Sequence, residues 1–231
     1  MKAAVITFPG SNRDGDVAKA LRKAGAHVVM AWHADTELPA GTDLVVLPGG
    51  FSYGDYLRCG AIAARAAIMD AVRAHAKRGG LALGICNGFQ ILTDGGLLPG
   101  VLMRNADLKF ICKRVHLKVE RTDTPFTSAY RPGQAIDVCV AHGEGNYFCG
   151  AVTLQRLEDE GLVAFRYCDA AGAVTPQANP NGSLNAIAGI YSRNRRVLGM
   201  MPHPENLIDP LAGGVDGFGL FESLVASVVP A

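Results

Sequence analysis

The first hundred residues alternate between short apolar runs and stretches whose apolar positions recur every three or four residues. Ala3 to Phe8 is a mostly apolar run ended by Pro9-Gly10-Ser11-Asn12, which reads as a strand and a loop. Asp14 to Ala24 then carries Val17, Ala20, Leu21 and Ala24 at helical spacing. His27 to Trp32 and Asp43 to Leu47 read as strands, the second stopped by Pro48-Gly49-Gly50, and the Ala-rich, amphipathic Ala61 to Ala76 reads as a helix. Leu81 to Ile85 is a strand of the buried type, and Gly88 to Thr93 a short helix ended by Gly95-Gly96.

Strands and helices in this order build a doubly wound, mostly parallel sheet of the flavodoxin-like kind, in which ligands lie beyond the carboxyl ends of the strands. Three loops converge there by topology: Pro9 to Arg13, Pro48 to Asp55, and the turn around Cys86. From about Leu102 to Gly150 the pattern shifts to longer β-type runs, Lys109 to Arg121 and Ala135 to Ala141, which predict antiparallel additions to the sheet. Leu162 to Tyr167, Ile187 to Ser192 and Val197 to Met201 predict further strands. Gly217 to Val229 predicts a closing helix with Phe218, Phe221, Leu224, Val225 and Val228 on its apolar face. No linker or internal repeat divides the chain, so the expectation is one α/β domain over residues 1–231.

Composition narrows the functional classes. Apolar residues make up 49% and charged residues 19% of the chain, a balance that supports a packed core and argues against disorder. The net charge is +1, and Lys and Arg are scattered, so the basic stripe of a nucleic-acid or anionic-membrane binder is missing. No apolar run reaches the ~18 residues of a spanning helix, and the start lacks a signal-peptide pattern, so the expected setting is the cytoplasm. The six cysteines include no CxxC pair and no metal-ligand spacing, which disfavours a disulfide framework and a metal site. Most of them sit in apolar runs, where a cysteine reads as a small buried hydrophobe, and five of the six read as structural.

Cys86 is the exception. Gly84-Ile85-Cys86-Asn87-Gly88 matches the nucleophile-elbow pattern G-x-S-x-G with sulfur in place of oxygen, at the junction of a strand and a helix. In such a turn the backbone passes so close to its neighbours that flanking residues have no room for a β-carbon. The helix N-terminus behind the sulfur favours a negative charge there. A thiolate attacking a carbonyl also needs a proton donor for the leaving group. Met201-Pro202-His203-Pro204-Glu205 offers His203 as acid and base and Glu205 to orient it, because residues two apart in an extended, proline-held segment face the same side. Backbone donors for the oxyanion would come from Pro48-Gly49-Gly50-Phe51 and from the amide of Asn87. Gly50 is the first choice, with Phe51 as the neighbouring alternative.

Other chemistry finds no support. Gly10 to Gly15 lacks the Gly-Lys-Ser/Thr ending of a P-loop and no GxGxxG follows a strand, so neither ATP nor a dinucleotide is expected on this chain. His142, in His142-Gly143-Glu144-Gly145-Asn146, reads as a hydrogen-bonded structural or substrate contact rather than a metal ligand.

Taken together, the Cys86 elbow, the Gly49-Gly50 loop and His203-Pro204-Glu205 resemble a class I (triad-type) glutamine amidotransferase. Pro48 through Ala61, His142-Gly143-Glu144-Gly145 with Tyr147-Phe148, and Asn179-Pro180-Asn181-Gly182-Ser183 narrow the likeness to the glutaminase subunits of phosphoribosylformylglycinamidine synthase, over nearly the whole chain. The resemblance implies that Cys86 is the nucleophile, His203 the acid and base, and Glu205 its support, with Gln90 and His142 as substrate contacts. It further implies release of ammonia from glutamine to a separate synthetase subunit, which uses ATP and Mg²⁺ on formylglycinamide ribonucleotide, and a small third subunit. Asn206 stands where these proteins often have arginine, and Arg13 where cysteine is common. Two rivals are an elbow-cysteine hydrolase resembling the intracellular proteases and a catalytically silent binding module. The first usually takes its histidine from beside the nucleophile, where this chain has Asn87, and the second has no need of all three of Cys86, His203 and Glu205.

Overall fold

The computed structural model describes residues 1–228 and is built on a nine-stranded sheet in the order β2-β1-β3-β4-β11-β10-β9-β6-β7. One half is parallel: β1 (Lys2–Thr7) lies between β2 (His27–Trp32) and β3 (Leu44–Leu47), and β3 pairs with β4 (Leu81–Ile85). β3 and β4 are buried at every position, because helices cover both faces of such a sheet. These helices are α1 (Asp14–Lys23), α2 (Ile68–Lys77) and α3 (Asn87–Asp94).

The antiparallel half holds β6 (Ile111–Val119), β7 (Ala135–His142), β9 (Val163–Cys168) and β10 (Ile187–Tyr191). β11 (Val197–Met200) joins the halves, antiparallel to β10 and parallel to β4. A separate two-stranded ribbon pairs β5 (Val101–Met103) with β8 (Asn146–Phe148). The predicted mostly parallel core and its antiparallel additions are therefore both present.

Three elements differ from the sequence reading. Ala61 to Ala76 is not one helix: a 3-10 turn at Ala63–Arg65 is separated from α2 by Ala66 in an extended conformation (ψ 150°). The break lets the Ile68 amide donate to the His33 carbonyl at 3.2 Å, a tertiary bond that a continuous helix would forgo. A helix α4 (Ala151–Asp159) stands where none was predicted, since only Leu157 of it is buried and its apolar periodicity is correspondingly faint. α5 (Phe218–Ala226) ends before Val229, which lies outside the described residues.

The pairing of β4 with β11 places the site. In register, Gly84 stands beside Gly199 and Ile85 beside Met200, so the two parallel strands end together. Cys86 follows one and His203 follows the other. The Cys86 amide donates to the Met200 carbonyl at 2.8 Å, and the His203 amide donates to the Cys139 carbonyl of β7 at 2.8 Å. A separation of more than a hundred residues in sequence thus closes to adjacent strand ends.

Candidate active site

Cys86 sits at φ +52° and ψ −107°, a backbone conformation that side chains rarely adopt, between the end of β4 and the start of α3. The elbow glycines permit it. A β-carbon on Gly84 would come within 2.6 Å of the Gly88 carbonyl oxygen, and one on Gly88 would collide with the carbonyl oxygen of Leu47. α3 is held behind the sulfur by Phe89, whose ring stacks on Tyr147 with centroids 6.0 Å apart.

His203 and Glu205 are almost wholly buried, and His203 Nδ1 lies 2.7 Å from Glu205 Oε1. Burial opposes the imidazolium, but the charges of Glu205 and Cys86 and hydrogen bonding to both outweigh it, so the His203 pKa lies well above its ordinary value. Apart from that contact with Cys86, His203 Nε2 has no hydrogen-bond partner. Gly49 packs against the ring: a β-carbon there would meet His203 Cε1 at 2.7 Å.

The two proposed oxyanion donors behave differently from the alternative. The Phe51 amide donates to the Gly10 carbonyl at 2.9 Å and is spent. Gly50, at φ +153°, is left out of that exchange because it forms the centre of an antiparallel bridge with Ser11, whose hydrogen bonds come from the residues on either side. Asn87 is the first residue of α3, where the amide has no intrahelical acceptor.

Gln90 and His142 line the same cavity as Cys86 and Gly50, a space of about 230 Å³. Gln90 is itself engaged on both ends: Nε2 donates to the Glu144 carbonyl at 2.8 Å and Oε1 accepts from Asn87 Nδ2 at 2.9 Å. His142 Nδ1 lies 3.1 Å from Asn105 Oδ1, an oxygen that also accepts the Gly145 amide, so Nδ1 carries the proton and Nε2 the lone pair. Burial, aided by the charge of His203, lowers the His142 pKa to about 4. Its ring is neutral at physiological pH.

Several supporting residues escaped the sequence reading. Asn105 is fully buried, and its Nδ2 donates to the carbonyls of Lys109 and His142. Asn181 and Ser183, noted in sequence for family likeness alone, both donate to the Gly145 carbonyl and so fix the loop that carries His142 and Glu144. Asp55, Cys59, Arg104 and Glu144 also line the cavity. Of the two departures, Arg13 pairs with Asp16 and its amide donates to the Gly49 carbonyl, while Asn206 closes a turn onto the His203 carbonyl. A larger groove of about 670 Å³ is lined by Lys118, Glu158, Arg166 and Asn185 and shares no lining residue with the Cys86 cavity.

Comparison with known proteins extends the picture. Residues 1–214 match the CobB/CobQ-like glutamine amidotransferase domain family. The chain is 65% identical over 225 residues to the phosphoribosylformylglycinamidine synthase subunit PurQ of Bradyrhizobium diazoefficiens, covering 97% of each. It is 63% identical to the subunit of the same name from Rhodopseudomonas palustris, over the whole length of both. Among solved structures, a chain of PurLQS from Thermotoga maritima superposes with a TM-score of 0.87 at 42% identity, with 99% of each chain covered.

Proposed function

The chain belongs to the CobB/CobQ-like glutamine amidotransferase family, and we propose that its glutaminase chemistry runs through Cys86, His203 and Glu205. The chain is the glutamine amidotransferase subunit of phosphoribosylformylglycinamidine synthase, acts in purine biosynthesis, and works with the synthetase subunit PurL and the small subunit PurS. The observation that carries the residue assignment is the meeting of a strained Cys86 with an otherwise unpartnered His203 Nε2 at the ends of paired strands.

Cys86 sulfur attacks the carboxamide carbon of glutamine, and the charge that develops on the carboxamide oxygen is met by the amides of Gly50 and Asn87. Each such donor contributes roughly 10²–10³ in rate. His203, held protonated by Glu205 and Cys86, delivers its Nε2 proton to the departing nitrogen, which leaves as ammonia while the acyl group remains on sulfur as a thioester. The neutral imidazole then takes a proton from water as it attacks the thioester, glutamate leaves, and the Cys86 thiolate is restored beside the imidazolium. Glu205 keeps the ring oriented through both halves. The ammonia passes to the synthetase subunit, where ATP and Mg²⁺ activate formylglycinamide ribonucleotide. This chain needs no cofactor of its own in this scheme, and the reaction belongs in the cytoplasm. Among the described residues, no helix is long and apolar enough to cross a membrane.

The test is glutamate release from glutamine by the purified chain, alone and with the synthetase, against Cys86→Ala. Release abolished by the substitution and stimulated by the synthetase is the expected result. Undiminished release by Cys86→Ala would remove the assignment of the nucleophile.

A further inference from the structure

Gly50, the proposed oxyanion donor, has no side chain to hold its own peptide in place, so the aim of its amide depends on its neighbours. The bridge to Ser11 steadies one side. The other side runs into a strained turn, in which Tyr53, Gly54 and Asp55 follow one another at φ +53°, +71° and +54°. Glycine takes such angles freely, whereas tyrosine and aspartate keep them where their surroundings impose them. Part of that constraint is backbone. The Tyr53 amide donates to the Pro9 carbonyl at 2.7 Å, and the Gly54 amide to the Phe51 carbonyl at 2.8 Å.

A further hold comes from the sheet. The Tyr53 hydroxyl and His33 Nδ1 share a hydrogen bond at 2.7 Å, and the two rings meet edge to face with centroids 5.5 Å apart. His33, just past the end of β2, is itself a fixed post. Its amide donates to the Thr7 carbonyl at 3.0 Å and its carbonyl accepts the Ile68 amide at 3.2 Å. Its ring stacks on Phe8 at 6.4 Å and takes the edge of Trp32 at 4.5 Å. The break at Ala66 that frees the Ile68 amide therefore serves this post. Neither His33 nor Tyr53 lines the Cys86 cavity, so their bond does no chemistry there.

The amides of Phe51 and Tyr53 bond to Gly10 and Pro9, the two residues before Ser11. Gly10 comes so close that a β-carbon on it would collide with the Phe51 carbonyl oxygen. Any unwinding of the turn is thus passed directly to the bridge between Ser11 and Gly50. We propose that His33 is a positioning residue which, through the Tyr53 hydroxyl, keeps the turn at Tyr53–Asp55 wound and the Gly50 amide aimed at the oxyanion formed over Cys86. This rests on the glutaminase reading above and adds a residue outside the cavity that sets the rate. The carboxamide oxygen gains most of its charge only after attack, so the clamp acts on kcat rather than on KM.

The experiment uses the assembled complex with Tyr53→Phe, His33→Leu, His33→Asn, and Tyr53→Phe combined with His33→Leu. Tyr53→Phe and His33→Leu each lower kcat for glutamate release about tenfold, short of the ~10²–10³ lost with a donor itself, and leave KM within about twofold. His33→Asn, whose amide reaches the place of Nδ1, returns kcat to within about threefold of native. The double variant falls no further than either single one, because both remove the same bond. Alkylation of Cys86 by iodoacetamide attacks a saturated carbon and forms no oxyanion. Read from the mass of the peptide bearing Cys86, it keeps its native rate within about twofold in every variant. Synthesis from ammonium chloride in place of glutamine confirms that each complex is assembled. Tyr53→Phe removes a single oxygen atom and decides the outcome alone if a His33 variant does not assemble.

Unchanged kcat in Tyr53→Phe would overturn the clamp, and so would a raised KM with kcat intact. Alkylation of Cys86 that slows in step with kcat would overturn it too, by showing a displaced elbow instead of a misaimed donor. Equal losses in His33→Asn and His33→Leu would leave His33 a packing role alone. If the native complex released no glutamate from glutamine, the glutaminase reading itself would fall; ordinary native turnover with indifferent variants removes only the clamp.

Discussion

Asn87 Oδ1 accepts the backbone amide of Ser52 at 3.2 Å inside the protein, and through this bond the turn after Cys86 holds the loop that carries Gly50. The same side chain donates to Gln90 Oε1, so one amide group ties the elbow, the Gly50 loop and the first turn of α3 together.

Replacement of Asn87 by alanine keeps the backbone donor and removes the tie. The buried Ser52 amide then loses its partner, at a cost of about 1–3 kcal/mol measurable as a lower urea midpoint. Loosening of Gly50 lowers kcat about 10- to 100-fold, less than deletion of an oxyanion donor outright. Unchanged kcat in a folded Asn87→Ala protein would detach Gly50 from the oxyanion.

Glu205→Gln removes a charge that holds the His203 pKa above 6.5. The alkaline limb of the kcat profile is expected to move to lower pH, and kcat to fall about 10²- to 10⁴-fold. Stability carries the same sign. A folded pKa raised above the unfolded one gives stability that is complete below 6.5 and is lost as pH rises through the folded pKa. Urea unfolding across that window therefore shows the native protein's advantage over Glu205→Gln shrinking toward alkaline pH.

His142 behaves in the opposite sense. Its folded pKa is depressed from 6.5 to about 4, so the unfolded chain takes up a proton first as pH falls between those values, and the fold is weakened by about 3 kcal/mol at most. Urea midpoints at the two ends of that window should differ less in His142→Asn than in the native protein. An equal drop in both would place the acid sensitivity elsewhere.

Glycine substitutions separate open space from close approach. A β-carbon on Gly15, in the first turn of α1, meets nothing within 4 Å, and Gly15→Ala is expected to stabilise by about 0.4–1 kcal/mol through a less free unfolded chain. Gly88→Ala drives a β-carbon into the Leu47 carbonyl and is expected to cost about 1–3 kcal/mol or more and to displace Cys86. Thermal unfolding of the two variants checks both signs.

The parallel strands, the elbow and the His203–Glu205 segment were legible in sequence because each is specified locally, by an apolar run ended by glycines or by two prolines around a dyad. α4 was not, since a helix that buries only Leu157 leaves little periodic trace. The interrupted Ala61 to Ala76 segment was missed because Ala66 is extended to serve a bond to His33, a partner that no local pattern names. In the site, Ser52 meets Asn87 and Asn105 meets His142 across more than thirty residues. Such pairings depend on how the sheet brings its strand ends together, which no spacing along the chain encodes.

β11 lies between β4 and β10, so among the described residues the two halves of the sheet meet only through a strand that follows β4 by more than a hundred residues. A ribosome adding roughly 5–20 residues per second exposes Cys86 well before His203 has been made. The unfinished chain carries Cys86 without His203, its proposed acid, and without the strand that aligns the two. On that assignment a product cut short before β11 is expected to leave glutamine untouched and to release no ammonia.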